Sequence, residues 1–165
     1  MHYLPSKSPT IAIVDPSPDD YGHLVEAARR YRASIHFFAT AAEALRFGRQ
    51  QTISLWTINV ELPDLSGLDL CGMIKSLSSH SVIYMVTARY RAEDERIARI
   101  RGASLFMSKP ICVSWFEAWW AGRFSGKGIT TFGETNPSVI PGYRHLSDRP
   151  THSLEPIGGS LMKQS

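Results

Sequence analysis

Short apolar runs alternate with amphipathic stretches from about residue 10 to residue 122. Five runs are apolar along most of their length and are predicted to be strands, at residues 11–15, 34–38, 53–59, 81–87 and 104–108. Between and after them, apolar residues recur at helical spacing, which predicts helices at residues 19–32, 41–49, 67–77, 93–101 and 113–122. The chain therefore repeats a strand followed by a helix.

This repeat predicts the fold class. Strands that are apolar on both faces, and that are separated by helices, are typical of a parallel sheet covered on both sides. Right-handed crossovers leave few topologies for such a sheet, and the doubly wound open sheet is the one that we expect. The predicted class is therefore α/β.

Composition divides the chain of 165 residues into a domain and two flanks. We expect an N-terminal extension over residues 1–8, one domain over residues 9–122, and a tail over residues 123–165. The tail is rich in Pro, Gly and Ser and lacks apolar periodicity, which predicts a flexible segment. The alternative is that its apolar residues dock on a partner or on the domain, namely Phe132, Ile140, Tyr143 and Leu146.

Charge and hydropathy narrow the class of partner. The net charge is +3, and residues 1–121 carry 13 Lys and Arg against 12 Asp and Glu. Nucleic-acid binding is therefore disfavoured, because it usually needs a dense basic surface. No apolar run approaches the roughly 18–20 residues of a membrane span, so no membrane association is expected and the predicted location is the cytoplasm. Cys71 and Cys112 stand apart in the chain and are predicted to be buried, reduced thiols.

Polar residues follow four of the predicted strands. They are Asp15, Asn59, Thr87 and Lys109, which supply a carboxylate, an amide, a hydroxyl and an ammonium. In an open parallel sheet the carboxyl ends of the strands form the ligand site, so these side chains are expected to converge. The set suits an oxyanion or phosphate pocket.

In order and in spacing, these residues resemble the receiver domain of bacterial response regulators over about residues 9–122. The resemblance implies a flavodoxin-like five-stranded parallel sheet with strand order 2-1-3-4-5 and helices on both faces. It places Asp15 at the first of two acidic positions and Asn59 at the position of the phosphoacceptor. Thr87 and Lys109 lie at the positions of the family's hydroxyl residue and lysine. Phe106 lies at the position of the family's switch aromatic, and the peptide bond after Lys109 is expected to be cis.

Two departures from the family pattern affect the chemistry. Asn59 carries an amide, which cannot form the acyl phosphate that a carboxylate forms. Pro16 takes the place of the second acid, so a Mg²⁺ ligand is lost, and no cofactor is expected. Asp15 is free to pair with Lys109 and to close the pocket without metal. Asp15 and Glu61 are weak candidate metal ligands, and Glu61 is also the alternative phosphoacceptor.

The last predicted helix carries a candidate interface. Trp115 and Trp119 are four residues apart, and Trp120 lies on an adjoining face. Exposed tryptophan is enriched at protein interfaces, which favours a homodimer or a partner contact through this helix. Burial of one aromatic pair against the sheet is the competing interpretation.

Together the residues predict a stand-alone, degenerate receiver that is not an enzyme. It is expected to act in a bacterial two-component pathway through protein–protein interaction that does not depend on phosphorylation. The expected partner is a histidine kinase, a response regulator or a downstream effector. The alternatives are a receiver phosphorylated on the displaced acid Glu61, and a DNA-associated regulator.

Overall fold

The computed structural model describes residues 8–124 and 143–145 of the chain. Strands and helices alternate through the first of these ranges, as predicted. The strands are β1 Thr10–Val14, β2 Ser34–Phe38, β3 Leu55–Asn59, β4 Ile83–Thr87, β5 Leu105–Ser108 and β6 Tyr143–His145. The helices are α1 Gly22–Arg30, α2 Ala41–Gly48, α3 Gly67–Leu77, α4 Ala92–Ile100 and α5 Ser114–Phe124.

The strands form one sheet in the order β2-β1-β3-β4-β5-β6. The first five strands pair in parallel, which confirms the doubly wound sheet and the strand order 2-1-3-4-5. The sixth strand was not predicted, and it pairs antiparallel with β5. It belongs to the segment predicted to be a flexible tail; residues 125–142 and 146–165 of that tail, like residues 1–7, lie outside the described residues.

Two apolar layers cover the two faces of the sheet, because alternate strand residues point to opposite sides. On one face α2, α3 and α4 pack against a group that includes Val14, Ile58, Met85 and Phe106. On the other face α1 and α5 pack against the alternate strand positions, including Ile13, Val86 and Met107. Both layers leave the carboxyl ends of the central strands at one edge of the fold.

The first helix begins later than its sequence pattern indicates. The pattern predicts a helix from residue 19, but Asp19 and Asp20 lie in a separate 3-10 turn, Pro18–Tyr21. The α-helix starts only at Gly22 and has no side-chain cap. This turn brings the Tyr21 side chain into the core, where it is buried.

The last helix buries most of its aromatic face. Trp115 and Trp119 are 3% and 5% exposed, so the prediction that they form an external interface is wrong. They are buried because α5 covers β4 and β5, and Trp115 packs edge to face on Tyr84 with ring centroids 5.6 Å apart. Trp120 is half-buried against the ring of Tyr31, at 4.9 Å between centroids.

Two further sequence expectations concern the cysteines and the membrane. Cys71 is buried as predicted, whereas Cys112, just before α5, is exposed. Within the part of the chain that the structure describes, no helix combines the length and the apolar character needed to cross a bilayer.

Candidate functional site

The carboxyl ends of β1, β3 and β5 bring three of the predicted polar side chains together. Asp15 follows β1 directly, Asn59 is the last residue of β3, and Lys109 follows β5. The strands hold these positions through the sheet, and the backbone N–H of Asp15 donates to the carbonyl of Phe38 at 2.9 Å. The Lys109–Pro110 peptide bond is cis, as the resemblance implied.

Asp15 is the centre of the cluster and is only 1% exposed. Its Oδ1 accepts from the backbone N–H of Ser17 at 2.9 Å and from Nδ2 of Asn59 at 3.2 Å. Its Oδ2 accepts from the hydroxyl of Tyr21 at 2.8 Å and lies 2.8 Å from Nζ of Lys109. A carboxylate has about four acceptor positions, so these four donors occupy them.

The amide of Asn59 is complementary to Asp15 in its orientation. Its Nδ2 donates to the Asp15 carboxylate, while its Oδ1 accepts from the backbone N–H of Glu61 at 3.3 Å. A carboxylate in the same place would face Asp15 with an acceptor, and two carboxylates this close repel one another. The amide therefore places a donor, and not a second acceptor, opposite the Asp15 carboxylate.

Tyr21 is a member of the site that sequence reasoning missed. Burial, followed by the nearby charge of Asp15 and the hydrogen bond to it, raises the pKa of the Tyr21 hydroxyl far above its usual value. The phenol therefore remains a donor to Asp15. Pro18 is the feature of the sequence that indicates the short turn. Helical periodicity does not reveal such a turn.

Lys109 joins two acidic side chains. Its Nζ lies 2.8 Å from Asp15 and 2.6 Å from Oδ2 of Asp20, the second residue that sequence reasoning missed. Burial on its own lowers the pKa of Lys109, but the hydrogen bonds and charges of the two carboxylates outweigh it and raise the pKa. The three ionised groups together carry one net negative charge, which disfavours an additional anion.

Thr87 lies close to this cluster in the sheet but its hydroxyl is used elsewhere. The hydroxyl donates to the carbonyl of Arg89 at 2.8 Å and accepts from the N–H of the same residue at 3.1 Å. The expected role of Thr87 as a donor inside the pocket is therefore wrong for this arrangement. Its hydroxyl holds the start of the loop between β4 and α4.

Phe106, at the switch-aromatic position, points into the protein. It is 2% exposed and meets the ring of Tyr90 edge to face, with centroids 6.2 Å apart. The Tyr90 hydroxyl in turn donates to Glu95, a buried carboxylate of α4. The loop between β4 and α4 is thus attached at Thr87 and again at Glu95.

Two sets of hydrogen bonds hold the loop between β3 and α3. The N–H of Gly67 donates to the carbonyl of Val60 at 2.9 Å, which closes the loop against β3. Asp64 accepts from the N–H groups of Ala41 and Ala42 at 2.9 and 3.0 Å and so caps α2. These backbone hydrogen bonds lower the pKa of Asp64.

Mg²⁺, which the receiver pattern implies, does not fit the residues present. Pro16 and Glu61 are both exposed, and Pro16 has no oxygen ligand in its side chain. The Asp15 oxygens already accept from four donors, two of them on Asn59 and Lys109. Among residues 8–122, no three His, Cys, Asp or Glu side chains are grouped so that they could hold a metal ion.

Comparisons with known proteins agree with this geometry. A family model described as the response regulator receiver domain matches residues 11–115. A probable cyclic di-GMP phosphodiesterase of Vibrio cholerae is 27% identical over 106 residues, covering 63% of this chain and 24% of that protein. The probable transcriptional regulatory protein TcrX of Mycobacterium tuberculosis is 27% identical over 105 residues, covering 63% and 44%. The chain thus spans less than half the length of either relative.

Solved structures match the fold. A CheY-like receiver domain protein from Methanospirillum hungatei superposes with a TM-score of 0.65 at 20% identity, covering 72% of this chain and 94% of that one. A two-component response regulator from Clostridium difficile gives 0.64 at 20% identity, covering 69% and 93%. At these identities the likeness concerns the fold alone.

Proposed function

The chain belongs to the response regulator receiver domain family, and we propose that it signals through protein–protein contact without being phosphorylated. The observation that carries this proposal is the closed hydrogen-bond network around Asp15. Asn59, Tyr21 and Lys109 all donate to that carboxylate. The network supplies internally the positive charge that a metal ion supplies in an acidic site.

The chemistry of Asn59 supports the same conclusion. Covalent phosphoryl transfer needs a nucleophile, and a neutral amide is a poor one. The Asn59 nitrogen donates to Asp15 and its oxygen accepts from the Glu61 N–H, so both polar atoms of the side chain are hydrogen-bonded. A receiver of this kind is suited to one resting conformation, in which it competes with phosphorylatable relatives for a kinase, a response regulator or an effector. We assign it no enzymatic step and no cofactor.

The direct test uses the full chain with acetyl phosphate and Mg²⁺. Intact-mass spectrometry is expected to show no phosphoryl adduct, and beryllofluoride with Mg²⁺ is expected to leave the backbone amide spectrum unchanged. A phosphorylatable receiver treated in parallel serves as the positive control. A stable adduct on the wild-type protein would overturn the proposal.

Glu61 is the alternative phosphoacceptor. Its exposed side chain lies at the rim of the pocket, because its backbone N–H donates to Oδ1 of Asn59. In this alternative, labelling persists in Asn59→Ala and is lost in Glu61→Gln. The exposed carboxylate of Asp19 provides the matched control, since Asp19→Asn removes a nearby acid without touching Asn59. If the chain is not phosphorylated, none of the three variants acquires a phosphoryl label.

A role as a DNA-associated regulator is the third candidate, and the similarity to the probable transcriptional regulatory protein TcrX is the observation that favours it. The net charge of +3 supports it weakly. Retention on DNA that falls steeply with salt, in the manner of counterion release, would favour this candidate over the first. We expect retention to be absent at about physiological ionic strength.

A further inference from the structure

β5 is the last parallel strand of the sheet and has only one parallel neighbour. It pairs with β4 on one side, and its other side would present unpaired N–H and C=O groups. Such an edge accepts another strand readily, and natural proteins cover or shorten it. Here the cover is β6, Tyr143–His145, which lies antiparallel along residues 105–107.

The pairing engages alternate amides of β5. The N–H of Lys109, directly after β5, donates to the carbonyl of Thr87 in β4 at 2.9 Å, and successive N–H groups of a strand point to opposite sides. With the parallel register of β4 and β5, the N–H groups of Leu105 and Met107 therefore face β4, and that of Phe106 faces the outer edge. The register places Arg144 opposite Phe106, so this is the pair that exchanges backbone hydrogen bonds.

We propose that the outer edge of β5 is a strand-docking surface whose occupant is Tyr143–His145 of the same chain, and that this occupant keeps β5 of a second copy off the edge. Antiparallel pairing is symmetric about a two-fold axis. A second β5 approaching about such an axis would thus present the same backbone groups as β6 does. With only three residues, β6 is a short cover that a competing strand can displace.

Chain length allows β6 to reach the edge from its own α5. β6 begins opposite Met107, at the carboxyl end of β5, and 18 residues (125–142) separate it from Phe124. Eighteen residues can span up to about 60 Å. The 11 residues of α5 rise only about 16 Å, so the connection within one chain is long enough.

Amide hydrogen exchange on the full-length protein tests the occupancy of the edge. In the wild type, the amides of Ser104, Leu105, Phe106 and Met107 are all expected to be protected. If Phe106 exchanges like an exposed amide while Leu105 and Met107 stay protected, β6 does not occupy the edge and the proposal is overturned. The two β4-facing amides report in the same experiment that the sheet itself is intact.

Two proline variants separate backbone pairing from a general disturbance of the segment. Arg144→Pro removes an N–H that faces β5, whereas His145→Pro removes one that faces away, where an edge strand tolerates proline. We expect Arg144→Pro to lower the protection of Phe106 by roughly tenfold or more, with a much smaller effect in His145→Pro. Equal effects of the two variants would contradict the proposed pairing.

Sedimentation of the same full-length proteins tests the second part of the proposal. The wild type and His145→Pro are expected to be monomers, and Arg144→Pro is expected to self-associate as its concentration rises. A wild-type dimer with a protected edge would mean that β6 is exchanged between copies, which overturns the assignment within one chain. An Arg144→Pro protein that remains monomeric would overturn the role of β6 in excluding a second copy.

Discussion

Asn59 and Asp15 are matched as donor and acceptor, and the match decides the chemistry of the pocket. The Asn59 amide donates to Asp15 at 3.2 Å, and Tyr21 and Lys109 donate to the other carboxylate oxygen. Hydrogen bonds to a buried charged group contribute about 1.5–3 kcal/mol each. Changing one member of such a network therefore affects the stability of the others as well as any reactivity.

Asn59→Asp is expected to restore little or no Mg²⁺-dependent phosphorylation, because Pro16 still supplies no metal ligand. The new carboxylate faces Asp15, so the pKa of one of the two acids rises in the folded protein. A raised pKa favours folding at low pH, and the free energy of unfolding should fall as the pH rises from about 4 to 7. Urea unfolding across that range measures the trend.

The matched control for this substitution is Asn59→Ala, which removes the donor without adding a charge. It should lose stability by an amount that varies little between pH 4 and 7. Strong phosphorylation of Asn59→Asp by acetyl phosphate would show that Pro16 matters less than we propose.

Tyr21→Phe is expected to lower the free energy of unfolding by about 1–3 kcal/mol at neutral pH, because Asp15 loses a buried donor. The raised pKa of Tyr21 adds stability that is fully present below its ordinary value of 10.0 and is lost as the pH rises above it. The wild type should therefore lose about 1 kcal/mol more than Tyr21→Phe between pH 9 and 11. Urea titrations of both proteins at several alkaline pH values give the comparison.

Lys109 is present in both proteins of that comparison, and its raised pKa acts in the same direction at high pH. The free energy of unfolding falls with pH in both proteins, with one slope for each. Only the difference between these two slopes therefore reports on Tyr21. Parallel slopes for the wild type and Tyr21→Phe would mean that the Tyr21 hydroxyl is not held by Asp15.

The loop between β3 and α3 joins two helices to the site. Asp64 caps the start of α2, while Ser66 accepts from the Leu68 N–H at the start of α3. The first N–H groups of a helix have no partner inside it, so side-chain acceptors stabilise helix starts. Asp64 lies 23 residues from Ala41 in the chain, and the cap therefore depends on the loop conformation.

Asp64→Ala is expected to destabilise the protein by about 1 kcal/mol at pH 7, because the N–H groups of Ala41 and Ala42 at the start of α2 lose their acceptor. The lowered pKa of Asp64 means that its contribution is present above its ordinary value of 3.8 and is lost as the pH falls through the lower folded value. The difference in the free energy of unfolding between Asp64→Ala and the wild type should consequently become smaller at acid pH. Urea unfolding of Asp64→Ala, with Asp19→Ala as an exposed control, measures both effects.

Gly67→Ala is expected to cost about 2–3 kcal/mol or more, because the new methyl group would lie 1.9 Å from the carbonyl oxygen of Asn59. That oxygen belongs to the backbone of β3 and cannot move alone. Gly22→Ala is the matched control, since nothing lies within 4 Å of its added Cβ. Helix propensity predicts a gain of up to about 1 kcal/mol there, and thermal unfolding of the two variants would rank them.

The described part of the chain combines a receiver fold with a pocket whose polar side chains bond to one another. Two apolar layers support the sheet, and the polar cluster lies at its carboxyl edge, where receivers place their acidic site. Pairing of Lys109 with Asp15 and Asp20 links the carboxyl ends of β1 and β5 directly. The stability of the fold is therefore expected to be independent of divalent cations.

Thermal unfolding with Mg²⁺ tests that expectation on the full chain. A cation at about 100 times its dissociation constant would stabilise the folded state by about 2.7 kcal/mol and raise the Tm by several degrees. We expect no rise with about 10 mM MgCl₂ beyond that of NaCl at equal ionic strength. A specific rise with Mg²⁺, saturating with concentration, would contradict the closed pocket.

The sheet and most of the cluster could be predicted because their signals are local and repeated. Apolar runs alternating with helical periodicity determine α/β class, and parallel strands place Asp15, Asn59 and Lys109 at one edge whatever the details of the loops. The receiver-like strand order was predicted from the resemblance and is confirmed. The domain limits, including the flexible tail, remain a prediction.

The remaining features depend on contacts between distant segments. The 3-10 turn before α1 decides that Tyr21 and Asp20 reach the pocket, and hydrophobic periodicity carries no information on such a turn. Burial of Trp115 and Trp119 depends on how α5 lies on β4 and β5. Pairing of β6 with β5 joins residues nearly 40 positions apart, and a three-residue strand has too little pattern to be recognised before its partner is known.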